Sequence, residues 1–297
     1  MKISTFKTLL GAAATLCVLS LAQPVRAASL YNNWNYSIDS FTDGTEGSII
    51  GDRSKFEFYG MAYREMGDRV YFAMNSNLST SGYAMSGARN GKISYGDLFL
   101  NFNNPSNFNQ ANNNLFGIRF DSSNDTTFKL GLYGNVQATS LTNVNNGYTR
   151  MADHTQYVNS SPRQGAPARG FASYGDLAAN TTYFNSQQAA PTTIKAGTFL
   201  GAISSMISQA DLSSMGLDFS HFNAKGKYTF GFSVDKALLP EGNFVASLFA
   251  ECGNDGMAMT GDLQGVPEPS SLAGLVAVVG LVAAGKTLRR RQQDSVA

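Results

Sequence analysis

Apolar and polar residues alternate with a period of two along much of the middle of this chain. In "KFEFYGMAYREMGDRVYFAMNSNL", Phe56 and Phe58 fall on one face, and Val70, Phe72 and Met74 share a face further on. "REMGD" lies between them, so residues 55–75 are predicted to form a β-hairpin. "ISYGDLFLNF" (93–102), "LFGIRF" (115–120) and "TFKLGLYGNVQATSL" (127–141) predict further strands. "KYTFGFSV" (227–234) puts Tyr228, Phe230, Phe232 and Val234 on one face. "LLPEGN" then turns the chain and "FVASLFAEC" (244–252) returns, which predicts an antiparallel pair of these two segments.

The intervals between strands are polar. "NFNNPSNFNQANNN" holds eight Asn in fourteen residues and reads as a loop, because Asn side chains satisfy turn backbones and tolerate left-handed conformations. From about 143 to 192 the alternation fades, and long loops with little regular structure are expected. Residues 198–216 fit a strand or a short helix equally. "SYGDL" occurs at 94–98 and again at 173–177, and "GDL" recurs at 261–263. Two equivalent strand entries would explain this, as would chance reuse of turn residues. Short strands, frequent turns and no βαβ rhythm together predict an all-β protein. The expected form is an antiparallel β-sandwich, jelly-roll-like, with long loops.

Both ends break the pattern. Lys2 and Lys7 precede an apolar run from Thr8 to Ala22, and small residues follow at "VRAAS". That is the form of a secretory signal peptide over 1–27, with cleavage after Ala27 or Ala28. At the other end, Val266, Pro267, Glu268 and Pro269 precede fourteen apolar residues, Leu272 to Gly285. A transmembrane helix over 271–288 is expected, with Lys286 snorkelling at its edge. Arg289, Arg290 and Arg291 then hold the cytoplasmic side. The domain between, 28–265, is expected outside the cytoplasm.

Charge and cysteine narrow the function. Residues 28–265 carry 15 Lys+Arg against 19 Asp+Glu, so no nucleic-acid partner is expected. Cys17 lies in the signal segment, and Leu16 makes it a poor lipid-attachment site; Cys252 is then the single thiol of the domain. No disulfide can form within it. Stability has to come from burial, for which 33 aromatic residues are present between 28 and 265.

Candidate chemistry is sparse. Glu251, Cys252, Asn254 and Asp255 form a step that is either a turn after a buried strand or a thiol or carboxylate site. Free cysteines are among the most often buried residues, which favours the turn. "DSFTDGTEGSII" (39–50) matches an EF-hand loop at Asp39, Asp43 and Gly44, but Phe41 and Ile50 occupy ligand positions and exclude that motif. A looser calcium site would use Asp39, Asp43 and Glu46. An ordinary Asp-Gly turn is the commoner use of such residues, so no cofactor is expected by default. The domain has two histidines, His154 and His221, with no H-E-x-x-H and no G-x-S-x-G.

With these residues in view, "VPEPSSLAGLVAVVGLVAAGKTLRRR" resembles the PEP-CTERM sorting signal of bacterial exosortase substrates. "LLPEGNFVASLFAECGNDGM" resembles the segment before the sorting signal in many such surface proteins, and "SKFEFYGMAYREMGDRVYFAMNSNL" and "SYGDLFLNF" resemble one subfamily of exosortase-dependent surface proteins. The resemblance implies a non-catalytic surface or extracellular-matrix protein, anchored by its C-terminal helix and then processed near Val266–Pro269. The partners it implies are an exosortase-type membrane protease or transpeptidase, the membrane before processing, and extracellular polysaccharide. The alternative is a carbohydrate-binding or carbohydrate-cleaving β-sandwich, since Trp34, Tyr and Asn suit sugar stacking and hydrogen bonding.

Overall fold

Two consecutive asparagines set the first turn. Asn32 and Asn33 both have positive φ, 48° and 63°, the pairing a tight two-residue hairpin requires. They join Ser29–Tyr31 (β1) to Trp34–Ile38 (β2). The computed structural model describes residues 29–103, 105–162 and 169–265. The signal segment with Ala27 and Ala28, the motif Val266–Pro269, the helix expected over 271–288, and Lys286, Arg289, Arg290 and Arg291 lie outside the described residues. Among the described residues no helix is long and apolar enough to cross a membrane.

The expected hairpin at 55–75 is present as Phe58–Met66 (β3) and Arg69–Ser76 (β4). Met66 pairs with Arg69 across Gly67, whose φ of 62° an L side chain rarely adopts. Leu98–Asn101 (β5), Leu115–Arg119 (β6) and Gly131–Thr139 (β7) follow. Then come Thr193–Gly201 (β8), Ile207–Ser208 (β9), Tyr228–Asp235 (β10), Gly242–Phe249 (β11) and Gly256–Leu263 (β12). They build two six-stranded antiparallel sheets, in orders β1-β2-β3-β4-β10-β9 and β8-β7-β6-β5-β11-β12. The protein is all-β, as its alternation predicted.

One core is shared by the two sheets. Val70, Phe72 and Met74 from β4 and Phe230, Phe232 and Val234 from β10 meet Leu98, Leu100, Phe244, Ala246 and Leu248 from the other sheet. Each sheet also buries part of its outer face. Phe99, Tyr133 and Val245 pack under Phe108 and Met151, from the helices Phe108–Ala111 (α1) and Met151–Ser160 (α2). Tyr36, Ala62 and Ala73 pack under Leu212, Leu217 and Phe219, around the helix Gln209–Ser214 (α3). Burial on both faces explains why β5 and β11 read as nearly continuous apolar runs.

One expectation is overturned and two are made more definite. β10 and β11 are not a pair: β10 bonds to β4 and β9, and β11 to β5 and β12. The chain between them crosses from one sheet to the other, because both segments present an apolar face to the same core from opposite sides. The described part of 143–192 is mostly loop, as expected, with one helix beyond that expectation. That helix is α2, whose buried residues Met151, His154 and Val158 make a helical stripe too short and polar to stand out. The ambiguous stretch 198–216 is both of its readings, ending β8 and containing β9 and α3.

Phe232 is fully buried, with the Phe120 ring centroid 5.0 Å away and Phe72 at 5.9 Å. Phe232→Ala is expected to cost about 3–5 kcal/mol in urea unfolding. A loss of only a few tenths would mean the strand faces the other way.

Candidate functional site

The repeated "SYGDL" proves to be one device used twice. In the first copy, Ser94 N–H donates to the Glu251 carboxylate at 3.0 Å. Tyr95 enters the core, Gly96 N–H bonds Phe249 O, and Asp97 accepts Ile194 N–H at 2.7 Å. In the second copy, Ser173 N–H donates to the Asp43 carboxylate at 2.7 Å. Tyr174 is buried, Gly175 bridges to Ala258, and Asp176 accepts Thr260 N–H at 2.8 Å. Both glycines are required by close approach. A Cβ on Gly96 would lie 2.3 Å from Thr192 O, and one on Gly175 2.5 Å from Ala258 O. Both copies therefore clamp the β11–β12 hairpin, each through a buried carboxylate.

The turn of that hairpin, "ECGND", meets the first copy through Glu251 and sets Asp255 beside Asp39 and Asp43, the acids that hold the second. Glu251 and Asp255 are 0% and 1% exposed. Glu251 accepts from Ser94 N–H and from Asp125 N–H, at 3.0 and 2.6 Å. Asp97 and Asp121 are buried near it. Burial pushes the Glu251 carboxyl up to about 8, helped by the charges of Asp125 and Asp121. It pushes Asp97 and Asp121 up to about 6 each.

Asp255 belongs to a second cluster with Asp39, Asp43 and Glu57, none more than 6% exposed. Asp39 Oδ1 accepts from Ser173 Oγ and Gly175 N–H, at 2.7 and 2.8 Å. Glu57 Oε2 accepts from Gly44 N–H at 2.8 Å. Asp255 accepts from Phe58 N–H and Gly256 N–H, both at 2.7 Å. A Cβ on Gly44 would lie 2.5 Å from Glu57 Cα, so the Asp-Gly step read as a turn exists to admit Glu57. Burial raises all four carboxyls, Asp39 to about 7 and the others well above the usual range. For Asp43, Glu57 and Asp255, repulsion from Asp39 comes next. His154 is buried beside them, with Nε2 3.0 Å from Asp43 O. Burial lowers its pKa to about 4, so near neutral pH it carries no charge to offset the carboxylates. Asp39, Asp43 and Asp255 each offer a ligand atom, all within 4.8 Å of one another, and are the residues able to hold a metal ion.

Of the calcium set read from sequence, Asp39 and Asp43 converge and Glu46 does not. Glu46 pairs with the exposed Lys55 at 2.6 Å, because its short strand carries the side chain outward. Glu57 was missed; alternation puts it on the face opposite Phe56 and Phe58, where a polar residue reads as solvent-facing. Asn254 bonds Thr45 and closes the turn. Cys252 is a buried free thiol, pushed up to about 12 by burial, which makes it a core residue. Trp34 is also fully buried, its Nε1 donating to Met215 O, and offers no ring for a sugar. No protein-family model, curated protein or solved structure matches the chain.

The raised carboxyls give a signed pH dependence. The folded state holds the Glu251 proton more tightly than the unfolded chain does. Its contribution is complete below the ordinary Glu value, about 4.3, and is lost as pH rises toward about 8. With chelator present, the urea midpoint is expected to fall between pH 5 and pH 8, and Glu251→Gln to flatten that fall. A midpoint that rises with pH would contradict this assignment.

Proposed function

We propose that the chain is an exported, non-catalytic surface protein, processed at its C-terminal sorting signal by an exosortase-type membrane enzyme. One observation carries the reading. Val266-Pro267-Glu268-Pro269, the apolar run and Arg289–Arg291 follow in order, directly after a strand that completes a sheet at Leu263. Prolines suit a cleavage segment, since they keep it extended and out of a helix. The domain in this reading is a β-sandwich. Its jelly-roll-like form is supported by the long returns that lay β10 beside β4 and β11 beside β5. A core of stacked aromatic rings with a buried lone thiol suits a protein that must persist outside the cell without a disulfide. The sugar-binding alternative is the poorer one, because Trp34 is buried and the converging carboxylates lie in the interior.

Replacing Pro267, Glu268 and Pro269 together by alanine is expected to trap an uncleaved, membrane-bound form. Deleting 266–297 is expected to release soluble domain without surface attachment, beginning at Ala28 or Ser29. Cell fractionation with N-terminal sequencing and intact mass reads both. If the triple-alanine chain is processed and located like the parent, the sorting reading fails.

A further inference from the structure

The second carboxylate cluster differs from the first in what its oxygens lack. Around Glu251, both carboxylate oxygens of Glu251 and both of Asp97 accept hydrogen bonds, and one carboxylate oxygen, Asp121 Oδ2, has none. In the second cluster three carboxylates are each half used. Asp39 Oδ1, Asp43 Oδ2 and Glu57 Oε2 are held by N–H or hydroxyl donors from outside the cluster. Asp39 Oδ2, Asp43 Oδ1 and Glu57 Oε1 are buried and accept nothing. A buried carboxylate oxygen without a donor or a counter-charge is costly, and three in one place call for a cation. The ion pairs formed among the described residues, Lys55–Glu46, Arg150–Asp153 and Lys236–Glu65, involve none of the four acids.

We propose that Asp39, Asp43 and Asp255, with Glu57 at their side, bind one calcium ion that ties the two sheets together. The donor set is all hard oxygen, which selects calcium, magnesium or manganese over zinc or copper. The spacing allows one ion to reach all three acids, and hydration chooses among these metals. Two oxygens on opposite sides of a calcium ion, each about 2.4 Å from it, are about 4.8 Å apart. Ligand atoms of Asp39, Asp43 and Asp255 lie within 4.8 Å of one another. Magnesium dehydrates reluctantly and would keep several waters, which suits an interior site less well. In Asp39, Asp43 and Glu57 one oxygen is fixed by a backbone or hydroxyl donor, which orients the other. In Asp255 both are held by backbone N–H groups. Metal ligands are commonly oriented by such hydrogen-bonded partners.

The ligands come from two places in the chain. Asp39 and Asp43 follow β2, and Asp255 sits in the β11–β12 turn of the other sheet, while Glu57, directly before β3, stands beside them. Ser173 and Gly175 of the second "SYGDL" segment hold two of the same acids. Calcium there closes the seam between the sheets and fixes the clamp over the hairpin. This proposal stands whether or not the sorting reading holds.

The test uses the full chain, stripped with EDTA and returned to chelator-free buffer. Isothermal titration with CaCl2 should give one ion per chain. Thermal midpoints should rise by about 5–10 °C at a hundredfold excess over Kd, and far less with MgCl2 at equal concentration. Asp43→Asn should fold in EDTA at least as stably as the parent, since it removes a repelling charge, and should lose the calcium shift. Asp39→Asn is the second variant should Asp43→Asn not fold, and Glu46→Gln should keep the full shift. No calcium shift in the parent, an equal shift in the asparagine variants, or an equal response to magnesium would each overturn the proposal.

Discussion

The architecture depends on carboxylates that accept backbone N–H groups in the interior. Where strands pair, the sheet ladder satisfies the backbone. Where loops from three parts of the chain converge on the β11–β12 hairpin, no ladder is available, and buried N–H groups still need acceptors. Glu251, Asp97, Asp39, Asp43, Glu57, Asp176 and Asp255 supply them, across sequence separations as large as 197 residues in the Phe58–Asp255 bond. Each such bond fixes a loop to a sheet at a defined register.

That solution carries an electrostatic cost. A carboxylate held by backbone donors is comfortable as an ion only if its charge is offset, and these are surrounded by aromatic rings and by one another. The two clusters meet the problem differently. Around Glu251 both oxygens of Glu251 and of Asp97 have donors and only Asp121 Oδ2 lacks one, which leaves protonation as the adjustable quantity. Around Asp43 three oxygens are left over, and a divalent cation is the economical way to satisfy them together. The five-residue turn 251–255 belongs to both, with Glu251 at one end and Asp255 at the other.

Packing at this turn is unforgiving. A Cβ on Gly147 would lie 1.7 Å from Cys252 O, and Tyr148 N–H bonds that same oxygen at 3.2 Å. Those contacts are to the Cys252 backbone, while the small apolar Cys252 side chain joins the core shared by the two sheets. Its thiol is unreactive for the same reason that it is well placed: it is desolvated and lacks a cation to stabilise the thiolate.

Alternation made the strands legible, because a half-buried strand must repeat every second residue. It placed Phe72, Phe230 and Phe232 correctly in the core. It could not show which strands pair. β10 and β11 are consecutive and both apolar, and only their positions across one core, set by β4 and β5, put them in different sheets. The "SYGDL" repeat was visible as letters, but its meaning lies in the carboxylates it meets, Glu251 and Asp43, which are 157 and 130 residues distant. Asp39 and Asp43 could be suspected from local spacing. Glu57 and Asp255 could not join them, since Glu57 looks like a solvent-facing strand position and Asp255 like an ordinary turn residue. The sequence determined the strands and the core faces, because those are local patterns of apolarity. The tertiary structure decided the site, because acids from distant segments converge only when the two sheets close over a common core.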